Sequence, residues 1–309
     1  MCSRSRCPWA GGFDDPIRRP VGVSGYAFSP MSAPNARKAL QSAARRGDPE
    51  AQYELACLYD CRPRKDPRRA FKWYLRAAHQ NHAAAQNAAG EGYRDGYGVE
   101  EDPKLAADWF SRAADLGEDS AQLSLGYCYF EGEGVDVDHA RALECYRASA
   151  AQGNARAVYN LAQMHRKGDG VSQSWTEAIR LYEQAAATGH ADAMHWLGRI
   201  ADGDEEPEAD EERAVYWLTR AAELGDEQSC SSLGVRYHHG QGVPQDRERA
   251  AQLYREAADG NDLWGMFLLG LCYRDGDGVR RNRRVARSWF TKAAVEHEEA
   301  RNALKRLEG

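Results

Sequence analysis

Six small residues, Ala85, Ala121, Ala157, Ala193, Ser229 and Gly265, stand 36 positions apart without a slip. A fixed period of this length is the mark of a repeat architecture, in which each unit is one supersecondary element stacked on the next. Four positions on lies Ala89, Leu125, Leu161, Leu197, Leu233 or Leu269, and eight on lies Tyr93, Tyr129, His165, Ala201, Tyr237 or Tyr273. Offsets of 0, 4 and 8 trace one face of a helix. A second helix follows in each unit, carrying Ala106, Ala142, Ala178, Ala214, Ala250 or Ala286 and large pairs such as Trp109-Phe110, Leu181-Tyr182 and Trp289-Phe290.

Between the helices Gly-x-Gly-Val returns at Gly96–Val99, Gly132–Val135, Gly168–Val171, Gly240–Val243 and Gly276–Val279. Glycine allows the positive φ that reverses the chain, and the valine is expected to tuck between helices. Asp102, Asp138, Asp210 and Asp246, with Ser174 and Asn282 as equivalents, fall where an N-cap belongs. The second helices are predicted to end at Gly117, Gly153, Gly189 and Gly225, with Asn81 and Asn261 as the other residue that tolerates a left-handed turn.

The register extends outward. Ala36, Leu40 and Ala43–Gly47 match a second helix capped by Ser32, the first full repeat starts at Ala51 with a shortened loop, and Ala300–Leu307 match a closing first helix. A single hairpin of this size buries too little to fold alone, so the pairs must stack, with half repeats covering the apolar ends. The predicted fold is all-α: an α/α superhelix, or solenoid, of about seven 36-residue helix pairs over residues 32–309. Residues 1–31 carry arginines, prolines, glycines and serines without periodicity and read as a disordered tail.

The repeated elements together resemble the Sel-one-like repeat (SLR), most clearly over Ser120–Gly153 and Asn160–Gly189. The likeness spans about nine-tenths of the chain. That family is related to tetratricopeptide repeats, forms right-handed superhelices and usually serves as adaptors that assemble other proteins. The resemblance therefore implies a protein-interaction scaffold that binds an extended peptide or helix on its concave face.

In that arrangement the first helices line the concave side, and positions two, six and nine after each opening small residue form one stripe. This makes Tyr127, Phe130, Tyr159, Arg166, His195, Arg199, Val235, His238, Phe267, Leu271 and Arg274 the expected protein-contacting residues. Aromatic and arginine side chains are the types enriched in binding hot spots. Two stretches depart from the repeat: residues 202–212 hold eight acids in eleven positions, and residues 280–284 read Arg-Arg-Asn-Arg-Arg. Each is a solvated edge loop or a partner contact of opposite sign.

Other functions find less support. The formal charge of −6 argues against a nucleic-acid binder, which needs a basic surface. The longest nearly apolar run, Trp264–Tyr273, is half of what a spanning helix needs. Trp9–Phe13 is too short for a secretory h-region, so the expected compartment is the cytoplasm. The glycine motifs follow helices and lack the third glycine of a dinucleotide loop. His238-His239 point about 100° apart on a helix and make a poor metal pair, so no metal and no cofactor are expected. Cys57 and Cys61, one turn apart, read as core fillers.

The rival reading is a β-lactam-recognising or hydrolysing enzyme of the cysteine-rich repeat type. Ser-x-x-Lys, Ser-Asp-Asn and Lys-Thr-Gly are all absent from this sequence, and its cysteines do not recur twice per repeat. The chain is therefore expected not to be an enzyme.

Overall fold

A computed structural model describes residues 34–61, 65–203 and 210–308. The expected tail, the Ser32 cap, residues 62–64 of the shortened first loop and the middle of the acidic run lie outside the described residues. The chain opens with α1 (Pro34–Arg46) and then runs through helix pairs α2 (Pro49–Asp60) with α3 (Pro67–Ala78), α4 (Ala83–Asp95) with α5 (Pro103–Asp115), and α6 (Asp119–Glu131) with α7 (His139–Ala151). It continues with α8 (Ala155–Lys167) and α9 (Trp175–Ala187), α10 (Ala191–Ala201) and α11 (Glu211–Glu223), α12 (Glu227–His239) and α13 (Arg247–Asp259), and α14 (Leu263–Asp275) and α15 (Arg283–Ala293). A last helix, α16 (Glu298–Glu308), closes the array.

The described residues thus form an all-α solenoid of seven pairs between two half repeats. Each helix packs on its partner and on the next helix in the chain. Among the more extensive contacts, first helices also touch the first helix of the next repeat, α4 with α6 and α12 with α14, whereas second helices have no such pairing. Closer approach on one side is what curvature produces, so the first helices form the inner row.

The caps follow the sequence. Asp102, Asp138, Ser174, Asp210, Asp246 and Asn282 each accept a hydrogen bond from the backbone N–H three residues on. Gly117, Gly153, Gly189 and Gly225 have positive φ, as do Asn81 and Asn261. The valines pack as expected, Val99 against the cluster holding Phe71 and Val135 against the one holding Phe110.

In four of the seven repeats two glycines do more than turn the chain. The glycine five positions after the small residue faces a large side chain of the second helix: a Cβ on Gly126 would sit 2.6 Å from Tyr146 Cε1. The second glycine of Gly-x-Gly touches the preceding repeat: a Cβ on Gly134 would sit 2.0 Å from the carbonyl oxygen of Pro103, at the start of the previous second helix. The loop is therefore a device for stacking repeats as well as for reversing the chain.

Candidate functional site

The inner row is built from the first helices, and the three stripe positions do different things. At position two the side chain receives the residue that opens the next first helix. Tyr53 stacks on His82 with centroids 4.7 Å apart, Tyr159 on His190 at 4.8 Å, and Phe267 on His297 at 5.0 Å. His82 and His297 also cap the helices they open, through Nδ1. In the sixth repeat position two is polar and the joint is hydrogen-bonded: Ser231 donates to Asp262, which caps α14.

His195 belongs to this joint. Its Nδ1 lies 2.9 Å from Ser229 Oγ and 3.5 Å from Asp226 Oδ1, and Asp226 caps α12 by accepting from Ser229 N. The expected open inner position is corrected at His195 and Phe267, which are 7% and 9% exposed. Stacking of the next helix over position two covers them, an effect that periodicity within one repeat does not contain. The neighbouring Ser, His and Asp are not a proton relay. Both oxygens face the same ring nitrogen, whereas a relay needs one on each, and Ser229 is fully buried.

Positions six and nine stay half-buried at Tyr127, Phe130, Arg166, Arg199, Val235, His238, Leu271 and Arg274. Phe130 lies over His139 of its own second helix, at 4.9 Å. His238 lies 3.5 Å from Asp277, which also pairs with Arg247 at 3.2 Å, and its ring is tilted 74° from that of His239. Val235 and Leu271 pack against the apolar cluster near the C-terminal end, and Arg274 pairs with Asp275 at 2.6 Å.

Tyr159, Arg166 and Arg199 are brought together, around a residue the stripe rule missed. Trp196 is in contact with both arginines, with the Arg166 guanidinium 4.1 Å and the Arg199 guanidinium 4.9 Å from its ring centroid. The row continues through polar contacts: Arg166 Nε donates to Gln163 Oε1 at 3.0 Å, and Gln163 Nε2 donates to Tyr159 OH at 2.7 Å. Behind it Tyr182 stacks parallel to Trp196 at 6.4 Å. Half-buried aromatic rings and fixed guanidinium groups thus cross from α8 to α10 on the inner side. Trp196 sits at position three, three residues before Arg199, and that i,i+3 spacing is the signal that could have found it.

Among the described residues nothing in the thiol set points to a nucleophile. Burial pushes Cys128 and Cys272 up to about 12 and Cys145 and Cys230 up to about 11, away from thiolate character. Cys57 is half-buried and Cys61 is exposed at the end of α2, which corrects the reading of both as core fillers. Among the described residues no group of three or more His, Cys, Asp or Glu side chains is placed to hold a metal ion. None of their helices is long and apolar enough to cross a membrane.

Comparison with known proteins follows the same architecture. The Sel1 repeat profile matches residues 49–82, 83–118, 119–154, 155–190, 191–226, 228–262 and 265–294. A protective antigen of uropathogenic Escherichia coli, c5321, described as having an SLR fold, superposes with a TM-score of 0.75 at 29% identity over 87% of this chain. The chain spans 58% of that protein's length. A Sel1 repeat protein from Oxalobacter formigenes superposes with a TM-score of 0.70 at 29% identity, covering 78% of this chain and 96% of that one. Yeast Tom70, at 14% identity and a TM-score of 0.53 over 91% of this chain and 61% of its own, shares the fold alone. No curated protein matches the sequence.

Proposed function

The chain belongs to the Sel1 repeat family, whose solenoids typically act as protein-interaction scaffolds, and from that premise we propose that its inner row binds an acidic, extended peptide or helix of another protein. The observation that carries this reading is the Arg166–Trp196–Arg199 stack. Cation–π stacking uses the face of a guanidinium, and its N–H donors lie around the edge, so a stacked arginine can still engage a carboxylate. Stacking also fixes the side chain before binding, which lowers the ordering cost of association. Trp and Arg in a partly desolvated setting are the residue types that dominate interface energies. Tyr127, Val235 and Leu271 would extend contact along the same wall. Covalent chemistry has no part in this proposal.

Panning a displayed library of random peptides against the full chain tests it. Acidic peptides should be enriched, and their affinity should fall about tenfold or more, roughly 1.4 kcal/mol or more, in Arg166→Glu/Arg199→Glu and in Trp196→Ala, with unchanged helical circular dichroism. Selected peptides that bind all three proteins equally would move the site away from the inner row.

A further inference from the structure

The rim formed by the N-termini of the second helices carries an ordered charge pattern over the last three repeats. The first two residues are Glu211-Glu212 in α11, Arg247-Glu248 in α13 and Arg283-Arg284 in α15. All six are exposed. Arg247 pairs with Asp277, and Arg283 and Arg284 make no ion pair among the described residues. The two arginines also sit against their helix dipole, which favours anions at this end, and α15 has no acid in its first turn and a neutral cap, Asn282. Their own helix therefore leaves them in need of negative charge.

The order of the pattern matters more than its size. Rotated by 180° about a two-fold axis at α13, the sequence acid-acid, base-acid, base-base becomes its own complement. Glu211 and Glu212 of one copy then face Arg283 and Arg284 of the other, twice over, and at the axis Arg247 faces Glu248 in both directions. An axis at α7 would also set Arg68 of α3 opposite α11. It would, however, place His139 and Ala140 at the centre and Lys104 opposite Thr176, with nothing complementary. An open groove of about 670 Å3, lined by Tyr237, Arg247, Glu248 and Gly278, lies at α13 and gives long side chains of a second copy room at the axis.

We propose that this rim is an isologous interface, and that its partner is a second copy of the same chain lying antiparallel, rim to rim. Closed two-fold symmetry is the commonest form of homo-oligomer and requires this kind of self-complementary patch. Exposed ion pairs are individually weak and screened by salt, so the dimer is electrostatic and salt-sensitive.

Sedimentation of the full chain tests this at about 20 mM and about 500 mM NaCl, on either side of a Debye length comparable with the contact. Wild type should dimerise at low salt and dissociate at high salt. Arg283→Glu/Arg284→Glu and Glu211→Arg/Glu212→Arg should each weaken self-association about tenfold or more. Mixing these two variants should restore a heterodimer, and combining all four substitutions in one chain should restore the homodimer. A wild type that stays monomeric at low salt overturns the proposal, which is also the outcome if the arginines serve a polyanion instead. Dimers indifferent to both reversals, or failure of the swapped charges to rescue, overturn it equally.

Discussion

Replacing Gly134 with alanine separates the two roles of the repeated glycine loop. Its φ of +75° places it in the left-handed region, and a Cβ there would lie 2.0 Å from the Pro103 carbonyl oxygen and 2.4 Å from its carbon. Left-handed geometry alone costs alanine about 1 kcal/mol. To reach ordinary contact at 3.4 Å the Pro103 carbonyl must retreat by about 1.4 Å, yet it opens α5 and cannot rotate away. Overpacking of this kind adds about 1–3 kcal/mol, for a total of about 2–4 kcal/mol. Gly117 is the matched control: its φ is +85° but a Cβ there meets nothing within 4 Å, so Gly117→Ala carries only the conformational cost of about 1 kcal/mol. Urea unfolding of both variants gives the difference. Native-state hydrogen exchange should localise the extra loss in Gly134→Ala to the seam between α5 and α6. Equal destabilisation of the two variants would refute the argument that the loop holds successive repeats together.

Four further outcomes follow from the packing. Arg236 is buried where other repeats carry Cys128, Met164, Ile200 and Cys272, its guanidinium pairs with half-exposed Asp202, and its Nε has no partner, so Arg236→Met should leave thermal stability within about 1 kcal/mol of wild type or raise it. Asp202→Ala, which strands the buried cation, should cost about 3 kcal/mol in the same melts. Burial, and secondarily Arg156, pulls His190 down from 6.5 to about 4. A lowered imidazolium makes its stability contribution complete above pH 6.5 and progressively lost as pH falls toward 4, so His190→Asn should remove about 2 kcal/mol of acid sensitivity in pH-dependent melts. Among the described thiols, a disulfide-exchange reagent should label exposed Cys61 in the native protein and reach Cys128, Cys230 and Cys272 only on unfolding. Fast native labelling of those three would contradict the burial that sets their acidity.

Local structure was legible because it depends on residues close in sequence. Asp138 and Asn282 declare themselves as caps by chemistry and position, and Asn81 and Asn261 declare left-handed turns by standing where the other repeats have glycine. What lies between repeats was harder to read. The stripe rule is drawn on one helix at a time, and for His195, Tyr159 and Phe267 it contains nothing about the next first helix opening over them. That is why they serve as joints for Asp226, His190 and His297. Arg236 reads as an ordinary surface arginine until the cap of the shortened α10 is seen beside it. Trp196 lies one position off the stripe, and its contact with Arg166 joins α8 to α10 across repeats, which the pattern within one helix does not contain. The fourth repeat shows the tolerance involved: Ala162, like Ala56 in the first repeat, stands where the other five have glycine, and Tyr182 beside it is still fully buried.

Hydroxyl-radical footprinting of the full chain with and without a saturating acidic peptide tests the inner-row account most directly, because indole oxidation reports exposure at one side chain. Oxidation of Trp196 should fall several-fold on binding, while exposed Tyr216 on the second-helix side of the array keeps its rate. A bound peptide that leaves Trp196 as reactive as before, and instead protects residues on the second helices or the rim, would contradict it.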